Sequence, residues 1–238
     1  MTAPPPLRVL SIATLFPDAA RPNFGLFVEK SLRALAAQPG IELTVVAPVG
    51  VPPFPLSVYP RYRALRDLPR TESWHGLTVL RPRFPLIPRI GARRNPAMVA
   101  RAVLSVSRAQ TFDVVDAQFF YPDGPAAMRV ASALGLPFSV KARGADISHF
   151  GHDLATAPQL IEAAKKAGVI IHTVGVGSIQ GGPVPDTDTS GNRSGYKLEN
   201  GEPVISRINT ENLIRLAQST GGKFTQGATN NTSLSPIA

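Results

Sequence analysis

The chain has 238 residues, of which 43% are hydrophobic, and it carries a formal net charge of +9. This length suffices for one large α/β domain or two small ones with a buried core. Because the sequence contains no cysteine, it excludes disulfide bonds, thiolate metal sites and a cysteine nucleophile.

The first part of the sequence predicts alternating strands and helices. Residues 7–14 form a short apolar run, residues 23–38 have helical periodicity, and residues 41–48 form a second apolar run. Together they predict a β-α-β opening. Residues 49–70 are rich in proline and predict an excursion with little regular structure. The next predicted elements are a strand at residues 75–84, a helix at 96–110, a strand at 112–120, a helix at 122–135 and a strand at 136–144.

A further helix is predicted within residues 155–167 and a strand at residues 168–177. Residues 178–196 are polar and predict a long loop, and the ENGE stretch at residues 199–202 predicts a hairpin turn. A last helix and a last strand are predicted at residues 209–222 and 221–228. The expected fold class is α/β, a Rossmann-like doubly wound and mostly parallel sheet with helices on both faces.

The N-terminal segment lacks a basic stretch followed by a continuous apolar run. No segment reaches the roughly 18 uninterrupted apolar residues of a membrane span. We therefore expect a cytoplasmic protein, without a leader and without a spanning helix.

The positive charge is concentrated in the first part of the chain. Residues 1–150 hold 18 Lys and Arg against 9 Asp and Glu, whereas residues 151–238 hold 7 of each class. Arginines alternate with prolines and apolar residues across the Arg-rich segment 61–94. This segment could attract the phosphates of a nucleotide, of a nucleic acid or of lipid headgroups, the last through peripheral contact with the inner membrane, or it could be a solvated surface loop. Because no binding motif accompanies the arginines, we expect no specific binding of nucleic acid.

Residues 7–152 resemble the N-terminal domain of family 4 glycosyltransferases. The resemblance rests on a first-strand loop that ends in Phe24 and Gly25 before a helix, on the YPDG turn at residues 121–124, and on the RGAD turn at residues 143–146. Enzymes of this family are retaining and have the two-domain GT-B architecture. The resemblance therefore implies sugar transfer from a nucleotide sugar to an envelope polysaccharide or a lipid-linked acceptor.

The candidate site residues also have structural interpretations. Gly25 would let the backbone approach a diphosphate at a helix N-terminus, but a glycine there is also a common turn residue. Both turns follow strands, at whose carboxyl ends ligand crevices form in open α/β sheets. Asp123 could instead cap its helix, and Arg143 could pair with Asp146. The candidate substrate-binding residues are Gly25, Gln118, Asp123, Gly124, Arg143 and Asp146.

The sequence departs from the family at two points. Gln118 stands where many relatives carry a histidine, and an amide binds a sugar hydroxyl but does not shuttle a proton. The E-x7-E pair of the donor-binding domain has no counterpart, and too few residues follow 152 for a second Rossmann domain. The catalytic residues therefore remain unassigned, and we expect the donor-binding domain to be missing.

No metal site and no cofactor are predicted. The histidines are scattered, and His149 and His152 form a weak pair without a third carboxylate ligand. The Asp-x-Asp at residues 186–188 is either a calcium loop or a polar surface loop.

Residues 159–228 resemble the final third of a bacterial von Willebrand factor A domain, of the kind found with aerotolerance-type membrane proteins. The Mg²⁺ site of that family needs a D-x-S-x-S loop after the first strand, and the sequence has SIATLFP at residues 11–17. The resemblance therefore predicts no metal site in this chain.

Together the two resemblances predict a chain of two parts, joined near residues 153–165. Residues 1–152 would form the glycosyltransferase-like Rossmann half, and residues 153–238 would supply closing elements that continue the same sheet. The first hypothesis is a glycosyltransferase-like protein that lacks its donor-binding domain. The alternative is a non-catalytic α/β fusion, or chimeric module, in which neither parent site is complete.

Overall fold

The computed structural model describes residues 4–86, 95–141, 168–176, 178–187, 193–208 and 210–227. The chain divides into two compact units, Met1–His149 and Phe150–Ala238. The predicted join near residues 153–165 lies outside the described residues. The predicted division after residue 152 stays a prediction.

Six strands of the first unit form one sheet in the order β4-β5-β2-β1-β7-β8. The β4–β5 pair is antiparallel and the other four pairs are parallel. Two remaining strands, β3 and β6, form a separate parallel pair. The strands are β1 (Leu7–Ile12), β2 (Ile41–Val46), β3 (Val49–Val51), β4 (Thr71–Trp74), β5 (Leu77–Leu80), β6 (Arg83–Pro85), β7 (Val114–Ala117) and β8 (Phe138–Val140).

Helices cover both faces of this sheet. Because side chains alternate along a strand, Leu10 and Ile12 pack with α3 and α4 on one face, whereas Val45 and Val79 pack with α1 on the other. The predicted Rossmann-like, mostly parallel α/β fold is thus confirmed. None of the helices in the described part of the chain is long and apolar enough to cross a membrane. The helices are α1 (Leu26–Ala36), α2 (Pro60–Arg66), α3 (Asn95–Ser107) and α4 (Asp123–Leu134).

The strand order changes direction between β1 and β7. From β1 the sheet runs through β2 and β5 to one edge, and from β7 it runs to β8 at the other edge. In an open α/β sheet such a switch point leaves a crevice outside the carboxyl ends of the two strands. The loops that follow β1 and β7 therefore border the expected ligand crevice.

The structure corrects two predictions for residues 49–84. The excursion at residues 49–70 is more regular than expected, because it contains β3, a short 3-10 helix (Leu56–Val58) and α2, whose first residue is Pro60. Proline suits the first position of a helix. The single strand predicted at residues 75–84 is instead divided into a turn, β5, which is the second arm of a hairpin with β4, and the start of β6. His75 and Gly76 have φ angles of 48° and 85°, and these left-handed residues form the tight turn between β4 and β5.

The described residues of the second unit contain one parallel pair of strands, a helix and three antiparallel pairs. The hydroxyl of Thr173 donates to the Leu213 carbonyl (2.8 Å), which ties β9 to α5. The predicted ENGE hairpin is confirmed, with Asn200 and Gly201 both at positive φ. The loop predicted at residues 178–196 contains short strands instead. The elements are β9 (Thr173–Val176), β10 (Gly182–Pro183), β11 (Pro185–Thr187), β12 (Arg193–Tyr196), β13 (Leu198–Glu199), β14 (Glu202–Pro203), β15 (Ile205–Ser206), α5 (Thr210–Ser219) and β16 (Phe224–Gly227).

An ion pair joins β1 and the residue before β7 at the amino end of the sheet. The backbone N–H and Nε of Arg8 donate to Asp113 Oδ2 (2.8 and 3.1 Å), and Nη2 donates to Oδ1 (2.7 Å). These hydrogen bonds favour the charged carboxylate, so they lower the pKa of Asp113 to about 2 from its ordinary 3.8.

We expect Asp113→Asn to lower the free energy of unfolding at neutral pH, with a difference from the parent that shrinks in acid. Because the pKa of Asp113 is depressed in the folded protein, its contribution is fully present above pH 3.8. That contribution is lost as the pH falls through about 2. Urea titrations across this range, followed by the fluorescence of Trp74, measure the difference.

The control is Asp67→Asn, which removes the same charge from an exposed ion pair with Arg66. It should change the free energy of unfolding little at any pH, because exposed pairs contribute roughly 0–1 kcal/mol. A difference for Asp113→Asn that stays constant between neutral pH and pH 2 would contradict the role assigned to Arg8.

Candidate functional site

The loop that follows β1 is held in one shape by its own residues. Asp18 is fully buried and accepts the backbone N–H groups of Ala20 (3.0 Å) and Arg21 (2.8 Å). Nε and Nη2 of Arg21 also donate to Asp18 Oδ2 (3.1 and 2.7 Å). The Arg21 guanidinium lies over the ring of Phe24, 4.2 Å from its centroid. The wall of the crevice on this side is therefore preorganised.

A buried arginine braces the same loop from the neighbouring strand. Arg81 follows β5, is 1% exposed, and donates from Nη2 to the carbonyl of Pro17 (2.6 Å). Its Nε pairs with the Glu72 carboxylate, and its guanidinium lies near the rings of Phe16 and Trp74. A buried guanidinium needs an opposite charge and accepting oxygens, and this set supplies both. Arg81 therefore acts as an internal support.

Gly25 begins α1 in a left-handed conformation, with φ of 75°. A Cβ at this position would lie 2.6 Å from the carbonyl oxygen of Leu15. Only glycine fits both the backbone angle and the close packing against the loop after β1. The prediction that Gly25 also approaches a diphosphate stays a prediction, since its packing against Leu15 already requires glycine.

Asp123 joins the loop after β1 to the start of α4. Its carboxylate accepts the backbone N–H of Thr14 (3.2 and 3.3 Å to the two oxygens) and the Thr14 hydroxyl (2.6 Å). The side chain is fully buried. The capping position of α4 is Pro122, which makes no side-chain cap hydrogen bond, and the alternative that Asp123 caps its helix stays a prediction. Asp123 links the two loops that border the crevice.

Gln118 belongs to a polar network inside the sheet. Its amide donates to Asp116 Oδ2 (2.6 Å) and to the Ser11 hydroxyl (3.0 Å). The Ser139 hydroxyl donates to Asp116 Oδ1 (2.7 Å), and Lys141 Nζ forms an ion pair with Oδ2. Asp116 is 4% exposed, whereas the Lys141 side chain is 40% exposed. The network therefore connects a buried carboxylate to a cation that reaches solvent.

Lys141 lies at the carboxyl edge of the sheet, directly after β8. Its backbone N–H donates to the carbonyl of Ala117 at the end of β7 (2.9 Å), so its position is fixed by the sheet. Sequence reasoning missed this lysine and its partner. The signal was an acidic residue within the apolar run of β7, since a buried aspartate needs donors or a cation nearby.

Gly124 and the RGAD turn complete the predicted site residues. A Cβ on Gly124 would lie 3.0 Å from a methyl group of Val140, so the glycine lets α4 pack closely against β8. Arg143 and Asp146 lie outside the described residues. The structure thus links Gly25 and Asp123 through their contacts with residues 14–15 of the loop after β1. The Gln118 amide instead points into the sheet.

Aromatic side chains lie along the same edge. Phe27 in the first turn of α1 makes an edge-to-face contact with Phe119, with 5.9 Å between ring centroids. Phe120 and Tyr121 follow in the same loop and are 37% and 39% exposed. These rings offer an apolar surface and the Tyr121 hydroxyl adds a polar group, a combination that suits an amphipathic ligand.

Two cavities lie elsewhere in the first unit. One of about 550 Å³ is lined by residues of α3, Arg108 and Arg129, and another of about 480 Å³ lies between α3 and β6. Neither is lined by residues 13–25 or 118–124. Within the described ranges, no three His, Asp or Glu side chains converge in a way that could hold a metal ion.

Sequence comparison links the chain to a glycosyltransferase. No known protein-family profile matches the sequence. A stretch of 150 residues, 61% of the chain, is 25% identical to TuaC of Bacillus subtilis (strain 168), which is provisionally named a teichuronic acid biosynthesis glycosyltransferase. The chain spans 38% of the length of that relative. The similarity supports a glycosyltransferase-like protein and no finer family assignment.

Solved structures give only weak overall similarity. An aerotolerance-related membrane protein from Bacteroides fragilis is 14% identical, with 97% of this chain and 96% of that chain covered and a TM-score of 0.36. BatB from Bacteroides thetaiotaomicron is 13% identical, with 97% and 93% covered and a TM-score of 0.32. The C-terminal domain of a hydrogenase from Pyrococcus furiosus is 17% identical, with 59% and 96% covered and a TM-score of 0.34. Similarity at this level carries no argument about function.

We expect Gly25→Ala to destabilise the first unit more than Gly40→Ala. Both glycines have φ near 75°, but a Cβ on Gly40 would meet nothing within 4 Å. Gly40→Ala should therefore cost about 1 kcal/mol for its left-handed backbone alone. Gly25→Ala should cost about 1–3 kcal/mol more, because the methyl group displaces the Leu15 backbone. Urea unfolding followed by Trp74 fluorescence compares them, and equal losses would contradict the close packing.

A double-mutant cycle tests the link between Asp123 and Thr14. Asp123→Ala leaves the part-buried N–H of Thr14 without this acceptor and should cost about 1–3 kcal/mol. Thr14→Val removes only the hydroxyl contact. Because the two side chains are in direct contact, the coupling energy from urea unfolding should lie at about 0.5–3 kcal/mol. Additive losses would show that the hydroxyl hydrogen bond adds nothing to stability.

Proposed function

We propose that the first unit is the acceptor-side half of a retaining, family 4-like glycosyltransferase of GT-B type. Its substrates would be a nucleotide sugar and an envelope polysaccharide or lipid-linked acceptor, and it would act in the cytoplasm. Support comes from the similarity to TuaC and from a doubly wound sheet with polar side chains at its switch point.

The observation that carries the proposal is the cation at the carboxyl edge. Lys141 is held by the buried carboxylate of Asp116 while its side chain remains partly exposed. A fixed ammonium group beside a crevice suits the negative charge of a sugar-nucleotide diphosphate. The half-exposed rings of Phe120 and Tyr121 would contact the apolar faces of a sugar or of a lipid-linked acceptor.

The proposed transfer would also need the donor-binding half of the family's site. In the proposed family a second Rossmann domain holds most of the donor nucleotide, and its E-x7-E pair has no counterpart in the sequence. The second unit instead resembles the closing part of a von Willebrand A domain. We therefore propose that the first unit contributes the acceptor wall and part of the diphosphate site, and that transfer needs a separate donor-binding domain.

A thermal-shift titration with UDP-glucose, UDP-N-acetylglucosamine and GDP-mannose tests the proposal. A ligand present at about one hundred times its Kd stabilises the folded state by about 2.7 kcal/mol. We expect at least one nucleotide sugar to raise Tm. Lys141→Gln, which can still donate to Asp116 but lacks the charge, should weaken that ligand about tenfold or more, because a hydrogen bond to a charged group contributes about 1.5–3 kcal/mol.

The matched control is Lys30→Gln, which removes an exposed lysine from the outer surface of α1 and should leave the titration unchanged. An equal loss in both variants would place the diphosphate elsewhere. If no nucleotide sugar changes Tm, the proposal fails and the non-catalytic α/β fusion is the remaining hypothesis.

A further inference from the structure

We propose that residues 54–66, here called the 54–66 patch, dock the protein on the surface of an anionic lipid bilayer. The patch comprises the 3-10 helix and α2, which lie between β3 and β4 of the first unit. The inference does not depend on the proposed transfer activity, since it concerns a different surface and its test uses no sugar.

The patch exposes a dense run of large apolar side chains. Phe54 is 81% exposed, and Leu56, Val58 and Tyr59 are 39%, 48% and 56% exposed. Four such side chains therefore meet solvent within six residues. Scattered exposed apolar residues are ordinary, but a contiguous group marks a surface that is covered by a partner or a membrane.

Positive charge lies directly beside these apolar side chains. Arg61, Arg63 and Arg66 belong to α2, and all three are exposed. Residues 54–66 contain no acidic residue, and Asp67, directly after them, pairs with Arg66 (3.2 Å). Arg61 lies over the ring of Tyr62, 4.5 Å from its centroid, and donates to its hydroxyl (2.9 Å). An anionic surface complements this charge.

The backbone of the patch is already hydrogen-bonded, which suits an apolar boundary. The N–H groups of Val58 and Tyr59 donate to the carbonyls of Pro55 (3.3 Å) and Leu56 (3.2 Å). In α2 the N–H groups of Tyr62 and Arg63 both donate to the Tyr59 carbonyl (2.9 Å). Apolar side chains can therefore enter the headgroup region without exposing unpaired N–H groups at these positions to it.

The patch is also anchored to the sheet. Arg83 donates from Nη2 to the carbonyls of Arg66 (3.2 Å) and Leu68, and from Nη1 to the carbonyl of Arg81. These bonds satisfy carbonyls at the C-terminal end of α2. Burial lowers the pKa of the Arg83 guanidinium, and the charges of Arg70 and Arg81 lower it further. Arg81 and Arg83 are thus occupied internally, and the charge available to a bilayer comes from α2.

A bilayer fits this combination better than a protein or a nucleic acid does. Phe, Tyr and Leu beside arginines are the composition of interfacial segments, where the rings sit at headgroup level and the guanidinium groups meet lipid phosphates. A lipid-binding surface also needs no shape complementarity, and the patch consists only of a 3-10 turn and a short helix. Residues 87–94 of the Arg-rich segment lie outside the described residues and are not part of the proposal.

Co-sedimentation with vesicles tests the proposal on the full chain. One set of vesicles is pure phosphatidylcholine, and the other is an equimolar mixture of phosphatidylcholine and phosphatidylglycerol. We expect binding to the mixed vesicles and little binding to the neutral ones. Binding should weaken as salt is added, because salt screens the attraction between the arginines and the headgroups.

Two pairs of substitutions locate the surface. Arg61→Gln with Arg63→Gln should lower the partition coefficient about fivefold for each arginine removed. The control is Arg101→Gln with Arg108→Gln, which removes the same charge from the exposed side of α3 and from the turn after it. Phe54→Ser with Tyr59→Ser should also abolish most binding, which separates insertion from simple charge attraction.

Phe54→Trp adds a direct readout of insertion. Its fluorescence emission should move to shorter wavelength on mixed vesicles and stay unchanged on neutral ones. The proposal is overturned if the chain does not bind mixed vesicles, or if the α3 control weakens binding as much as the patch variants. It is also overturned if Phe54→Ser with Tyr59→Ser converts a dimer to a monomer in sedimentation velocity, because a second copy would then cover the patch.

Discussion

Three aspartates tie β1 to β7 and to the helix that follows it. Asp113 binds Arg8 at the amino end, Asp116 accepts the Ser11 hydroxyl in the middle (3.4 Å), and Asp123 accepts Thr14 at the carboxyl end. These contacts join residues more than one hundred positions apart in the chain. Because β1 and β7 flank the switch point of the sheet, their register decides which loops meet at the crevice.

The Asp116 contact differs from the Asp113 contact because the Asp116 carboxylate is buried. A buried carboxylate is costly unless its oxygens are hydrogen-bonded and its charge is balanced. Asp116 meets this requirement with two hydroxyl groups, one amide and Lys141. Because the buried Asp116 charge needs this cation, Lys141 is held at the edge of the sheet. A positive charge is thereby placed beside the crevice.

The fold was predictable because its determinants are local in the sequence. Apolar runs of strand length alternate with helical periodicity, and Gly135 ends α4 in the left-handed conformation expected of a terminating glycine. The site was less predictable because its contacts are distant in sequence. Gln118 was expected to meet a sugar, and only the pairing of β1 with β7 brings Ser11 close enough to take its amide. Likewise, composition alone groups the arginines of residues 61–94, whereas the fold turns Arg81 inward and leaves Arg63 in solvent.

The position of β8 at the edge of the sheet affects which changes of sequence the fold tolerates after this strand. Within the described residues β8 is the last strand of its sheet, it is three residues long, and its side chains are exposed. An edge strand offers unpaired N–H and C=O groups to whatever polypeptide lies beside it. Different continuations can therefore follow β8 without changing the pairing of β1 with β7, because that pair is interior to the edge. The sheet thus keeps the strand pairing that shapes the crevice one strand away from its β8 edge.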